Sequence, residues 1–210
     1  MQIIRSRNPS RAGFSPMILL PGAYMHAQDF LTHGFDAAAD IVAVETGMQA
    51  YLDGSIVGRL DEAISPIRGD GAPVWLAGVS LGGLGALLYA RSNPGAVAGL
   101  LLLSPFIGTR GTVAQVIDAG GFEAWQPPPA EVATSEHQML QWLKSYRFDD
   151  ARSPPIYLGY GENDRYAASY RLLAGLLPAD RVVTVDGGHD WETWRVLWDR
   201  LLHSAQSCAG

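Results

Sequence analysis

The chain has 210 residues, 48% of them hydrophobic and 17% charged, enough apolar material to bury one sizeable core and too much for a disordered segment or a coiled coil. Its 15 Lys and Arg residues against 21 Asp and Glu give a formal charge of -6, and no run of like charge marks a tail for nucleic acid, which is excluded as the expected partner. A single cysteine, Cys208, can neither close an internal disulfide nor join a metal cluster.

Arg5, Arg7 and Arg11 precede the apolar run Met17 to Leu20, which is too short for a signal-peptide core. No stretch approaches the roughly 18 apolar residues that a membrane span needs. The expectation is therefore a soluble, cytoplasmic protein.

Six short apolar runs read as buried strands: Met17 to Leu20, Ile41 to Val44, Val74 to Val79, Val97 to Leu103, Ile156 to Leu158 and Val182 to Val185. Their apolarity is continuous and not alternating, as in a mainly parallel sheet covered on both faces. Helical segments are expected at Gly58 to Ile67, Leu81 to Ser92, where Asn93-Pro94-Gly95 stops the helix, and Tyr166 to Leu177, which ends before Pro178. In the last segment Trp194, Leu197, Trp198, Leu201 and Leu202 form one helical stripe, so this helix should cap the sheet. Strand and helix alternate without repeats or a dividing linker, which predicts one α/β domain over 1–210.

The stretch 105–153 is too long for an ordinary strand-to-helix connection. It predicts an excursion with helical character at Val113 to Ala119 and Glu136 to Tyr146, separated by Pro127-Pro128-Pro129. Phe106, Phe122, Trp125, Met139 and Trp142 offer apolar contacts there, suiting either a small lid over a site or a packing excursion.

Gly78-Val79-Ser80-Leu81-Gly82 matches G-x-S-x-G. With this composition about 0.2 such matches arise by chance, so context must carry the motif. The apolar run Val74 to Ala77 leads directly into it and an Ala/Leu-rich helix leaves it, the strand-to-helix setting of a nucleophile elbow. Ser80 is then held strained at the tip, and Gly78 and Gly82 are required where side chains would collide with neighbouring backbone.

A serine hydroxyl needs a base within hydrogen-bond reach. Of five histidines, His189 stands just beyond the last strand, at the carboxyl edge of the sheet where sites form. His26 and His33 follow the first strand, His137 lies in the excursion and His203 near the end of the last helix. The base in turn needs a carboxylate to fix its tautomer. Asp164, after the strand Ile156 to Leu158, fits best. Glu162 is the main rival, and Asp186 and Asp190 stay open, although Asp190 would more simply cap the last helix.

The chain order Ser80, Asp164, His189 resembles that of the α/β-hydrolase superfamily, and the similarity covers nearly the whole length. The run Gly188-His189-Asp190-Trp191-Glu192-Thr193-Trp194 is similar to the histidine region of esterases related to esterase D and enterochelin esterases. The resemblance implies an oxyanion hole from the Leu81 amide and an amide of Pro21-Gly22-Ala23-Tyr24, with Ala23 as donor and Tyr24 as its neighbouring candidate; Pro21 stands where the superfamily usually has His. Met17 to Leu20 resembles the superfamily's third strand, and nothing before it reads as the usual opening hairpin. A trimmed sheet of about six strands follows, comparable in size with minimal lipases and cutinases.

These residues predict a serine carboxylesterase acting on a small-molecule ester through an acyl-enzyme. No phosphate loop, metal-ligand cluster or dinucleotide fingerprint is present, so no cofactor and no metal are expected. Tyr24, Met25 and Phe106, with the excursion, should form the substrate pocket, and their apolarity favours an uncharged acyl chain; Arg110, Lys144 and Arg147 could meet a negatively charged substrate end, but each reads more simply as a solvated surface charge. The same triad would serve a thioesterase, a peptidase or an acyltransferase. A noncatalytic binding protein on the hydrolase scaffold is the reading from another class. Of oligomeric state the sequence says nothing.

Overall fold

Every residue of the strands β2 (Met17–Leu20) and β3 (Ile41–Val44) is buried, because helices cover both faces of the sheet they belong to. The computed structural model describes residues 2–7, 16–146 and 153–207; Arg11, Arg147 and Cys208 lie outside them. The remaining strands are β1 (Ile3–Ser6), β4 (Val74–Val79), β5 (Val97–Leu103), β6 (Ile156–Gly161) and β7 (Val182–Val185). They form one seven-stranded sheet of order β1-β3-β2-β4-β5-β6-β7.

All neighbouring pairs from β3 to β7 are parallel. The sheet has one strand more than the apolar runs predict: β1 pairs antiparallel with β3, Ile3 opposite Val44 and Ser6 opposite Ile41. Half-exposed and carrying Arg5, it lacks the continuous apolarity that marks the others. Among the described residues a single antiparallel strand thus precedes β2, where the sequence showed none.

Alternate residues of each inner strand enter two separate cores. Ile18, Leu20, Leu76, Leu100 and Leu102 face one side. There they meet α3 (Ile56–Arg68), α4 (Leu81–Ser92) and α7 (Ala167–Ala174). Leu19, Ala77, Val79, Leu101 and Leu103 face the other, against α1 (Ala27–Thr32) and α8 (Trp191–Ser207). The expected stripe of α8 is buried throughout, and the Trp198 indole N–H donates to the Phe35 carbonyl at 2.9 Å. No helix among the described residues is long and apolar enough to cross a membrane.

A short helix α2 (Met48–Leu52) follows β3, and the excursion contributes α5 (Arg110–Asp118) and α6 (Ser135–Ser145). Phe122, Trp125 and Met139 are buried in the same core as α3 and α4, so the excursion is packed onto the body of the domain. Glu136 of α6 ties it to α5 by accepting from the Thr109 amide at 3.1 Å and the Thr109 hydroxyl at 2.8 Å.

Parallel pairing brings the carboxyl ends of β2, β4, β5, β6 and β7 to one edge. At that edge α4 starts so close to the sheet that a Cβ at Gly82 would lie 2.1 Å from the Leu20 carbonyl oxygen, and one at Gly78 would lie 2.4 Å from that of Gly82. Gly82→Ala is expected to lower stability by at least about 1–3 kcal/mol, through forced separation of β2 and α4. Gly58→Ala, in α3 with nothing within 4 Å of its Cβ, should instead raise stability by up to about 1 kcal/mol. Urea unfolding of the two variants checks the contrast.

Candidate active site

Ser80 joins β4 to α4 with φ 51° and ψ -115°, a conformation that costs a residue with a side chain about 1–3 kcal/mol. The neighbours over-determine it. Its amide donates to the Leu103 carbonyl at 3.0 Å, and its own carbonyl accepts from the amides of Gly83 at 3.0 Å and Phe106 at 2.8 Å. The strained tip is thereby held from the sheet and from α4 together.

The loop after β7 delivers His189 to the same place. Its Nε2 lies 3.0 Å from the Ser80 hydroxyl and its Nδ1 2.7 Å from Asp164 Oδ2. The ring is clasped edge to face by Tyr166 and Trp194, with centroids 5.4 and 4.9 Å away. The backbone of the loop is pinned as well, since the Thr193 hydroxyl accepts from the Gly188 amide at 3.0 Å.

Strand β6 runs on to Gly161, beyond the predicted end at Leu158, so the acidic turn starts later than the sequence suggests. That turn is bonded to the histidine loop: the Glu162 amide donates to Val185 at 2.9 Å and the Asn163 amide to Gly187 at 3.0 Å. The approach is close enough that a Cβ at Gly161 would lie 2.3 Å from the Gly187 carbonyl oxygen. Glu162 is exposed, Asp186 accepts from the Asn163 side chain at 2.6 Å, and Asp190 Oδ1 caps α8 through the Thr193 amide at 2.8 Å. Asp164 is the carboxylate that meets His189.

The Asp164 side chain is fully buried. Its Oδ1 accepts from the Tyr166 amide at 2.9 Å and its Oδ2 from the Tyr170 hydroxyl at 3.2 Å, besides His189. Burial by itself raises the carboxyl pKa, but the hydrogen bond from His189, that from the Tyr166 amide, the imidazole charge and the Tyr170 hydroxyl together hold it below its ordinary value. Burial, then the Asp164 charge and hydrogen bond, push the Tyr170 phenol well above its usual range, so it remains a donor. Tyr170, which also lies 3.3 Å from His189 Nδ1, was not singled out by the sequence. Its signal is its place on the inward stripe of a helix beginning three residues after the acid.

Around Ser80 and His189 opens a cavity of ≈ 670 Å³, within the usual range for small-molecule sites. Ala23, Leu81, Tyr24, Met25 and Phe106 all line it. Tyr24 is 90% exposed with φ 60° and so stands at the mouth, while Met25 and Phe106 are half-buried in the wall. Leu81 is the first residue of α4, so its amide has no intrahelical acceptor. Of the three cations considered, Arg110 lines the cavity, whereas Lys144 is bonded to the carbonyls of Glu123 and Trp125.

The other histidines are placed elsewhere. His26 pairs with Glu45 at 3.4 Å, His33 stacks on Trp191, His137 bonds Gln115 at 3.0 Å inside the excursion, and His203 lies exposed on α8. Among the described residues no group of three or more His, Cys, Asp and Glu side chains converges as a metal site requires.

The parallel sheet, the elbow at Ser80 and the histidine after the last strand define a member of the α/β-hydrolase fold. The Esterase family model, described as "Putative esterase", matches residues 33–202. The chain belongs to that family and is an enzyme of the serine hydrolase class. No curated protein matches it. Among solved structures it is similar to the S-formylglutathione hydrolase FrmB of Staphylococcus aureus, with TM-score 0.60 and 15% identity over 91% of this chain and 81% of that one. The fluorophosphonate-binding serine hydrolase FphF of Staphylococcus aureus gives TM-score 0.57 and 15% identity, covering 97% of both chains. A carboxylesterase structure from Nitrososphaera gargenis gives 0.59 and 13%, covering 98% of this chain and 95% of that one. At such identities the likeness is one of fold.

A native pKa below the 3.8 of a free aspartate means that the Asp164 carboxylate contributes stability above that value, and that the contribution is lost as pH falls through the native pKa. Asp164→Asn is therefore expected to be less stable than the parent near about pH 6, with the difference shrinking below about pH 4. Urea unfolding at stepped pH measures this; a difference independent of pH would show that the carboxylate charge has no part in it.

Proposed function

We propose that the protein hydrolyses carboxylic esters by acyl transfer to Ser80. The observation that carries the reading is the continuous hydrogen-bonded series from the Ser80 hydroxyl through both nitrogens of His189 to buried Asp164, at the floor of a cavity.

Ser80 Oγ attacks the ester carbonyl while His189 Nε2 takes its proton. The carbonyl oxygen becomes an oxyanion, for which the amides of Leu81 and Ala23 are the donors; losing one such donor typically costs ~3 kcal/mol of transition-state stabilisation. His189 then gives the proton to the leaving alcohol as the tetrahedral intermediate collapses to the acyl-enzyme. A water deprotonated by the same imidazole attacks the acyl carbon, and the proton returns to Ser80 Oγ as the acid departs. Asp164 keeps the imidazole in one tautomer and stabilises its charged form throughout, and Tyr170 holds the carboxylate in place. Tyr24, Met25 and Phe106 contact the substrate at the mouth and wall.

Intact-mass analysis after treatment with a fluorophosphonate tests the activated serine without knowledge of the substrate. One adduct is expected on the parent and none on Ser80→Ala, and an unlabelled parent of native fold would refute the reading. Asp164→Asn is expected to lower kcat by about 10³–10⁴-fold on any ester the parent cleaves, because the imidazole then adopts the wrong tautomer. Unchanged turnover would move the acid role to another carboxylate. A matched panel of esters, thioesters and amides separates carboxylesterase from thioesterase and peptidase.

A further inference from the structure

The protein carries a formal charge of -6, yet among the described residues no Asp or Glu lines the cavity, while two Arg side chains, Arg110 and Arg165, do. They arrive from different parts of the chain. Arg110 is the first residue of α5 in the excursion, and Arg165 lies in the turn between Asp164 and Tyr166. Both bring their guanidinium over the Tyr166 ring, 5.7 and 4.9 Å from its centroid.

A guanidinium in a cavity wall would ordinarily draw a carboxylate as its counter-ion. Neither has one: among the described residues no carboxylate lies within 4.0 Å of either guanidinium. Arg110 is further disfavoured by its place at the positive end of the α5 dipole. Glu136, the carboxylate at that end, is occupied by Thr109 and Thr112. A guanidinium lying on an aromatic face still presents its N–H groups in its own plane, free for a carboxylate or phosphate.

The Tyr166 ring that both cations contact also packs at a steep angle against the His189 ring. Both guanidiniums are thus one aromatic ring removed from the imidazole. The cavity wall also includes the apolar side chains of Phe106, Ile107, Val113 and Ile117. We propose that the enzyme selects esters bearing a second, anionic group, a carboxylate or phosphate joined to the ester by a short apolar spacer, and that Arg110 and Arg165 hold that group. This specificity rests on the ester-hydrolase reading above.

Two pairs of probes test it. On the acyl side, p-nitrophenyl hydrogen adipate is compared with p-nitrophenyl methyl adipate. On the alcohol side, 3-(4-acetoxyphenyl)propionate is compared with its methyl ester. Rates are normalised to the hydroxide reaction of each probe. The anionic member of at least one pair is expected to have a kcat/KM about tenfold or more above its neutral partner, as charge-assisted hydrogen bonds to two guanidiniums would give. Which pair shows it tells on which side of the ester the anion lies.

The ratio within a pair cancels any loss of folded enzyme. It should fall toward unity in the double variant Arg110→Gln, Arg165→Gln, and also in the parent at an ionic strength of about 0.5 M. Equal rates in both pairs, or faster cleavage of the neutral members, would overturn the anionic subsite while leaving the ester hydrolase standing. A preference that survives the double variant would remove the assignment to these residues. Failure to cleave any of the four probes, with no fluorophosphonate adduct, would remove the ester-hydrolase reading and this one with it.

Discussion

The arrangement depends on one left-handed residue, Ser80, kept in place between β4 and α4. A serine in this conformation gives up about 1–3 kcal/mol, a sizeable part of the 5–15 kcal/mol by which a domain is usually stable. Its three backbone hydrogen bonds reach β5, α4 and the start of the excursion, so the tip cannot relax unless several elements separate. The small residue at Gly82 lets α4 begin against the end of β2. Parallel pairing then brings the Pro21-Gly22-Ala23 loop to one side of the serine and Asp164 and His189 to the other.

The second constraint is the mutual bonding of the turns that follow β6 and β7. Because Glu162 and Asn163 donate to backbone carbonyls of the histidine loop, Asp164 and His189 are placed relative to each other before their side chains meet. The short contact between them is a consequence of that backbone pairing, and the Tyr170 hydroxyl completes the carboxylate's partners. Burial of a charge is costly unless it is hydrogen-bonded. Here its donors come from a backbone amide and two side chains on elements the fold already fixes.

Much of this was legible in the residues. The six parallel strands have continuous apolar runs because each is covered twice, and the elbow could be read from the strand and helix on either side of Ser80. The edge strand β1 could not, since a half-exposed strand containing Arg5 and Ser6 has no such run. Nor could α1 and α2, which are held by tertiary contacts of Phe30 and Ala50. Asp164 and Glu162 are separated by two residues, and the distinction turns on where β6 stops. Its last residues, Gly159, Tyr160 and Gly161, look like a loop and are held as strand by pairing with β7 and, at Gly159, with β5 as well. Arg165 and Tyr166 gain their meaning from the third dimension alone, whereas Tyr170 had only its place on the inward stripe of α7 to mark it. The aromatic residues of the excursion showed that apolar surface would be covered, without showing that the domain's own core would cover it.

Tyr166 links two functions that enzymes commonly keep on separate side chains. Its ring packs against the imidazole of His189 and is also contacted by the guanidiniums of Arg110 and Arg165. If His189 is the base and the two arginines bind the substrate, substrate range and turnover rate cannot be varied independently at this position. A smaller residue would loosen the histidine while scattering the arginines, and a selection for new substrates would pass over Tyr166 and act on the apolar wall of α5.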